Sequence, residues 1–434
     1  MDEALQSEII KDYQARFPKR DFVPGVTPIP INGKIFNEKE ILNMVEAVLE
    51  GWWTEGHFAE LFERRIAKWL GTEYAELTNS GSSANLLAVS ALTSMKLGDR
   101  RLKPGDEVIT VAAGFPTTIN PLVQHNLIPV FVDTELGFYN PTFEKIAAAV
   151  SPKTRAIFIA HTLGNPYDLD KVKELCEKNN FWLIEDNCDA LGAEFSGKKT
   201  GTFGHIATVS FYPAHHITLA EGGAVFTNNS MLHRVIRSIR DWGRDCWCKT
   251  GKDNTCGKRF CWQLGDLPYG YDHKFIYSEI GYNLKVTDMQ AALGLAQLEK
   301  LDGFIATRRA NFTALYEGLK HLEQFFILPK WLPEANPSWF GFLLTVREDA
   351  PFKRADIVAH LQQKKIATRY LFAGNVTRQP YFVERKIPHR IVGNLNNTDT
   401  VMDNTFWIGC FPGITPPMVD YMIESVKEFT KKYL

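Results

Sequence analysis

Short apolar runs alternate with helical spacing over most of the chain. Glu107 to Val111, Pro129 to Val132, Ala156 to Ala160, Phe181 to Glu185 and Ala207 to Phe211 are apolar stretches too short for buried helices. Between them, Pro141 to Val150 and Asp168 to Asn179 place apolar residues at a spacing near 3.6. This alternation predicts an α/β protein: a mostly parallel sheet, covered on both faces, with ligands gathered at the strand C-terminal ends. Earlier helices are predicted over Asn37 to Glu50 and His57 to Trp69, joined by Gly51-Trp52-Trp53-Thr54-Glu55-Gly56. An apolar helix is expected from Leu86 to Met95, and a basic one over 230 to 242. Thr287 has the chemistry of an N-cap for a long helix reaching about Thr307.

The same pattern divides the chain. Residues 1–35 look like an N-terminal arm, with Pro24, Pro28 and Pro30 marking extended backbone. Residues 36–307 carry the alternation and form the large unit. Residues 308–434 form a smaller unit that mixes helices with strands such as Trp339 to Thr345. No internal repeat is visible.

Composition narrows the function classes. A chain of 434 residues has room for two domains. Hydrophobic content of 45% with 23% charged residues is that of a soluble globular protein. A net charge of −1 provides no basic field, so nucleic acid is not an expected partner. No apolar run is long enough for a membrane span, and the acidic, polar start MDEALQSEIIKDYQ has no apolar signal core. A cytoplasmic location is the expectation.

Two groups of residues then suggest chemistry. Thr78-Asn79-Ser80-Gly81-Ser82-Ser83-Ala84-Asn85 precedes a helix, where free N–H groups and the helix dipole favour an anion. Gly81, Ser82 and Ser83 are the candidate phosphate donors. Among seven cysteines, fifty-seven residues separate Cys188 from Cys246, one separates Cys246 from Cys248, and seven separate Cys248 from Cys256. The spacing matches neither zinc knuckles nor the plant ferredoxin pattern, so from the residues alone a metal site, redox chemistry and free thiols all stay open. Cys176, Cys261 and Cys410 fall outside it and read as packing residues.

The stretch from Ser210-Phe211-Tyr212-Pro213-Ala214-His215 to Glu221-Gly222-Gly223 resembles the cofactor-lysine segment of the DegT/DnrJ/EryC-type sugar aminotransferases, which use pyridoxal phosphate. That family reads Ser-Phe, three residues, Lys, then Glu-Gly-Gly. Here His215 takes the lysine's place. A lysine amine can bond covalently to the cofactor aldehyde; an imidazole cannot, but it can move protons near neutral pH. The resemblance therefore implies a non-covalently held pyridoxamine phosphate, with His215 moving a proton at its C4′ carbon.

Further motifs extend the resemblance from about Trp52 to Pro380. It implies the aspartate-aminotransferase fold, fold type I, with a mostly parallel seven-stranded sheet and a smaller C-terminal α/β domain. Asp186, in Ile184-Glu185-Asp186-Asn187-Cys188-Asp189-Ala190, matches the carboxylate that keeps the pyridine nitrogen protonated. Asp189 replaces the usual Gln or His at the ring hydroxyl, and Tyr212 a frequent His. Phe115 matches an aromatic on the ring face, and Ser210 joins the phosphate site. Asn283, in Gly281-Tyr282-Asn283, matches an Asn that reaches the neighbouring subunit's cofactor phosphate, which implies a homodimer. Trp53 and Thr54 are substrate-side candidates, and Arg369 and Arg378 are candidates for a nucleotide diphosphate.

The cysteine spacing is similar to that of the family's iron–sulfur 3-dehydrases, which would make Cys188, Cys246, Cys248 and Cys256 ligands of a 2Fe–2S cluster. That subgroup implies C3 deoxygenation of a CDP-linked 4-keto-6-deoxyhexose for 3,6-dideoxyhexoses of lipopolysaccharide O-antigen. Its reductant would be an NAD(P)H-dependent flavin and iron–sulfur reductase. A TDP-4-keto-2,6-dideoxyhexose 3-dehydrase would share the cysteines and the His. A colitose-type GDP-sugar 3-dehydratase would share the His without a cluster. The missing lysine disfavours an ordinary aminotransferase, and a cluster-bearing redox sensor on an inactive scaffold also stays open.

Overall fold

The apolar runs assemble into one eight-stranded sheet in the computed structural model, which describes residues 1–18, 21–248 and 251–434. Across the sheet the strands are Tyr74–Thr78, Gly223–Thr227, Ile206–Ser210, Trp182–Asp186, Thr154–Ala160, Glu107–Val111, Ile128–Val132 and Arg390–Ile391. Gly223–Thr227 runs antiparallel to both neighbours, and every other pairing is parallel. The expected count of seven is thus corrected to eight. The extra strand is two residues long and comes from the C-terminal part, Arg390 opposite Val130 and Ile391 opposite Phe131. A polar pair of that length carries no periodic signal.

All residues of Trp182–Asp186 and Ile206–Ser210 are buried, as expected of central strands with helices on both faces. Helices Gly81–Leu92 and Ser230–Arg240 pack with Val108, Phe158, Ile184 and Val225 on one face. The helix Leu169–Asn179 joins Ile109, Val130, Ile157 and Leu183 on the other. Helices Glu38–Leu49 and Asp288–Leu298 begin with capping boxes, Asn37 with Glu40 and Thr287 with Gln290.

Two further expectations change. The single helix from Thr287 to about Thr307 is two, Asp288–Leu298 and Leu301–Leu319, broken at Glu299 and Lys300. Lys300 turns its ammonium to Asn37 (2.9 Å) and to buried Glu40. The arm is not extended throughout, because Glu3–Arg16 is a helix capped by Asp2 and buries no residue. Pro24 is not extended either: it opens a turn in which the Val26 and Thr27 N–H groups donate to the Val23 carbonyl, and extended backbone follows around Pro28 and Pro30. There Ile29 bridges Ile366 and enters the C-terminal core.

That core lies between a four-stranded antiparallel sheet, Phe326–Ile327, Gly341–Val346, Thr405–Gly409 and Thr368–Arg369, and helices including Leu301–Leu319 and Pro416–Lys431. Among the described residues, no helix is long and apolar enough to cross a membrane.

Candidate active site

A cleft of about 610 Å³ opens where the strand C-terminal ends meet the C-terminal part of the chain. Its phosphate end is the start of the helix Gly81–Leu92. Ser80 is the N-cap, its hydroxyl accepting from the Ser83 N–H at 3.0 Å. Ser83 does not line the cleft: its N–H is taken by the cap, and its hydroxyl accepts from Ser80 Oγ at 3.0 Å. Gly81 and Ser82 line the cleft with Ser80 and Ser210. A Cβ on Gly81 would stand 2.4 Å from the Ser210 Cβ, so only glycine lets the helix start approach this closely. The Ser210 hydroxyl accepts from the Tyr212 N–H at 3.3 Å and keeps its own hydrogen to donate. These free donors at a helix N-terminus fit a phosphate.

Asp186 ends its strand with the carboxylate already oriented. Asn85 Nδ2 donates to Oδ2 at 2.9 Å, Thr118 Oγ1 donates to Oδ2 at 2.6 Å, and the Cys188 N–H donates to Oδ1 at 3.1 Å. A carboxylate has about four acceptor sites. The remaining one fits a protonated ring nitrogen, and the group is only 4% exposed. Asn85 and Thr118 were not singled out from sequence. Asn85 could have been, since it lies one helical turn beyond the Gly-Ser cradle, but nothing local marks Thr118.

His215 stands on the loop between Ile206–Ser210 and Gly223–Thr227 and lines the cleft. Its Nε2 lies 3.5 Å from Asp189 Oδ1, and its Nδ1 is buried with no hydrogen-bond partner. Burial raises the Asp189 pKa, against the opposing pull of His215. Behind the imidazole, buried Arg308 donates to the His215 carbonyl at 3.1 Å, and the Phe340 ring is 5.2 Å away. Sequence reasoning missed Arg308, Phe340 and the cleft residue Glu221. Among the described residues, the cleft wall contains no lysine.

Phe115 caps the helix Pro116–Gln124 and lines the cleft half-exposed, edge-on to Phe372. Tyr212 and Arg369 also line it, both exposed. The structure does not bring the other candidates here. Arg378 lies off the cleft, ion-paired with Asp399. Trp53 is exposed and donates from Nε1 to the Val48 carbonyl. Asn283 is exposed and accepts from Lys285 at 2.8 Å. Thr54 lines a second cavity of about 700 Å³ with Lys96, Arg237, Trp242, Cys246, Cys248 and Lys285.

The four spaced cysteines are split. Cys188 lines the cofactor cleft, where burial, Asp186 and Asp189 push its thiol well up. Cys246, Cys248 and Cys256 lie half-buried on the loop after the helix Ser230–Arg240. Cys248 hydrogen-bonds both Cys246 and Cys256. Burial opposes its ionisation, but Thr255 and those two cysteines bring it down to about 7. Among the described residues, Glu55, Glu63 and Glu76 form the only acidic, His or Cys trio with ligand atoms all within 4.8 Å, and Arg240 occupies it. The three loop thiols do not all come within 4.8 Å of one another, and Cys188 does not close a four-sulfur cage with them in this structure.

Fold and cleft together define a protein of the pyridoxal-phosphate-dependent aminotransferase fold. The profile of the DegT/DnrJ/EryC1/StrS aminotransferase family matches residues 36–427, and the chain belongs to that family. It is 54% identical over 425 residues to the lipopolysaccharide biosynthesis protein RfbH of Salmonella typhimurium, covering 98% of this chain and 97% of that one. It is 53% identical to the dTDP-4-dehydro-2,6-dideoxy-D-glucose 3-dehydratase of Saccharopolyspora spinosa, covering 98% and 91%. Among solved structures, it resembles a GDP-4-keto-6-deoxymannose-3-dehydratase variant with bound GDP-perosamine. The TM-score is 0.83 at 28% identity, covering 92% of this chain and 100% of that one.

Proposed function

We propose that the chain removes the C3 hydroxyl of a nucleotide-linked 4-keto-6-deoxyhexose, using pyridoxamine phosphate held without a covalent bond. One observation carries this reading: the cleft presents an imidazole, His215, and no lysine among its described residues. Bound there, pyridoxamine phosphate supplies an amine that condenses with the sugar ketone and a ring that takes up electron density.

The chain's residues do the rest. Gly81, Ser82 and Ser210 hold the phosphate. Asp186, fixed by Asn85 and Thr118, holds the proton on the ring nitrogen. Phe115 covers a ring face. His215 takes a proton from C4′, and Arg369 at the cleft wall takes the nucleotide diphosphate. Trp53, Thr54 and Asn283 lie off their own cleft, which supports a homodimer in which they face the neighbouring one.

The substrate's nucleotide is best supported as TDP. The 53%-identical relative is named for a TDP-linked sugar, which favours that alternative over the CDP-linked sugar of the sequence expectation. Likeness to RfbH supports a role in lipopolysaccharide synthesis.

For electron supply, Cys246, Cys248 and Cys256, with Cys188 as fourth ligand, would hold a 2Fe–2S cluster passing single electrons from an NAD(P)H-dependent reductase. The spacing and the contacts among the loop thiols support this, while the separate placement of Cys188 gives no ground for a step through the cluster. That separation favours, as a second reading, dehydration without a cluster; the GDP-4-keto-6-deoxy-D-mannose 3-dehydratase of Yersinia pseudotuberculosis is 32% identical.

The test is His215→Lys. With pyridoxal phosphate added, we expect a visible-absorbing cofactor that borohydride reduction fixes to the chain, with loss of dehydration. Normal dehydration by this variant would overturn the reading. Turnover of CDP-, TDP- and GDP-4-keto-6-deoxysugars by the native protein identifies the base.

A further inference from the structure

The N-terminal arm supplies part of the cleft wall. The Ile29 N–H donates to the Lys365 carbonyl and its own carbonyl accepts from the Ala367 N–H, both at 2.9 Å. Ile31 is buried among Ala113, Leu343 and Trp407, and a Cβ on Gly409 would stand 2.3 Å from its carbonyl. Further along, the Ile35 carbonyl accepts from Gln297 Nε2 at 2.7 Å. The backbone is thus fixed on both sides of Asn32.

Asn32 itself lines the cleft, half-buried, on the wall it shares with Ala214 and His215. The next residues, Gly33, Lys34 and Ile35, line a small cavity behind the same loop with Pro213, His215 and Arg308. The arm therefore passes beside the His215 segment, which puts Asn32 on the His215 side of the cleft. Among the described residues, none hydrogen-bonds its side chain. Two N–H donors and an acceptor oxygen are left open to a ligand. A phosphate only accepts, whereas a sugar hydroxyl both donates and accepts and so matches both ends of the amide.

We propose that Asn32 is a substrate-recognition residue carried by the arm: its amide hydrogen-bonds a ring hydroxyl of the hexose and holds the sugar beside His215. A polar group fixed in advance by backbone on either side selects a hydroxyl at little cost in ordering. This rests on reading the cleft as a sugar-nucleotide site.

The experiment is titration calorimetry of the native protein and Asn32→Ala, both loaded with pyridoxamine phosphate. The probes are TDP-6-deoxyglucose, whose C4 hydroxyl cannot condense with the amine, and TDP alone, or their CDP or GDP counterparts where turnover selects that base. We expect Asn32→Ala to bind the sugar nucleotide about 3- to 10-fold more weakly and the nucleoside diphosphate as the native protein does. Its thermal midpoint and its affinity for pyridoxamine phosphate should not move. Equal weakening of both probes overturns the proposal and gives Asn32 to the nucleotide or to the arm's packing. Unchanged binding of both also overturns it, and weaker binding of pyridoxamine phosphate makes Asn32 a cofactor ligand instead. The parent reading fails separately, if the native protein turns over none of the three 4-keto-6-deoxysugar nucleotides.

Discussion

In the cofactor cleft, Asp186 ends a fully buried strand, and three donors fix its carboxylate before any ligand arrives. The cysteine loop is built differently. Among the described residues between Arg240 and Asp288 there is one short helical turn, His273–Phe275. Side chains and scattered backbone bonds hold this loop. Asp245 pairs with His273 at 3.0 Å and Lys96 at 3.1 Å, Trp262 stacks on His273, and Arg259 clamps Asp272. Its thiols find one another more than they find the sheet. A site at strand ends inherits its geometry from backbone hydrogen bonding and is ready in advance. A site on a loop owes its shape to a few clamps and to whatever it binds.

Four substitutions press on this contrast. Asp186→Asn strikes the preformed half hardest. It removes the charge that holds the ring proton, and we expect dehydration to fall roughly 10²-fold or more. Loss of activity with cofactor binding retained, read by single-turnover absorbance, separates chemistry from occupancy.

Next is the sheet's response to acid. Burial, then Arg100, lowers the His205 pKa from 6.5 to about 4. Between those limits the unfolded chain binds a proton that the folded chain refuses. This contribution is therefore complete above pH 6.5 and is lost as pH falls towards 4, by at most about 3 kcal/mol. Urea midpoints at neutral and acid pH should differ less in His205→Gln.

Gly81→Ala drives a methyl group into Ser210 and should cost about 1–3 kcal/mol, read as a lower thermal midpoint together with weaker cofactor binding.

Cys246→Ser should do least to stability, within about 0.5 kcal/mol, because the residue is half-buried on a loop. Where the loop holds the proposed cluster, the same change should abolish iron, sulfide and brown colour. Native protein that carries zinc and no sulfide would instead make the loop a structural metal site.

Legibility in the sequence follows the same division. Strands such as Ile128–Val132 were readable because burial demands an unbroken apolar run. Tyr74–Thr78 was not, since its middle residue, Glu76, is buried against Arg240 and breaks the run. Residues that touch the cofactor in the family's pattern, Asp186, Ser210 and His215, were legible because their local motifs are rigid. Arg378 and Ser83 lie off the cleft, each held by a partner that type and position do not reveal, Asp399 in one case and the Ser80 cap in the other. The meeting of Asp189 with His215 could not be read, because it depends on how two strand-end loops face each other.

The short strand Arg390–Ile391 has a mechanical consequence. Arg390 grips Glu107 at 2.6 Å, and Thr398 nearby donates to Asp133, so the carboxy-terminal part is stitched to the outer border of the main sheet. Ile29 ties the N-terminal arm to the same part through Ile366. A jaw fastened along that border keeps its hold on the sheet edge when a bulky ligand enters the mouth.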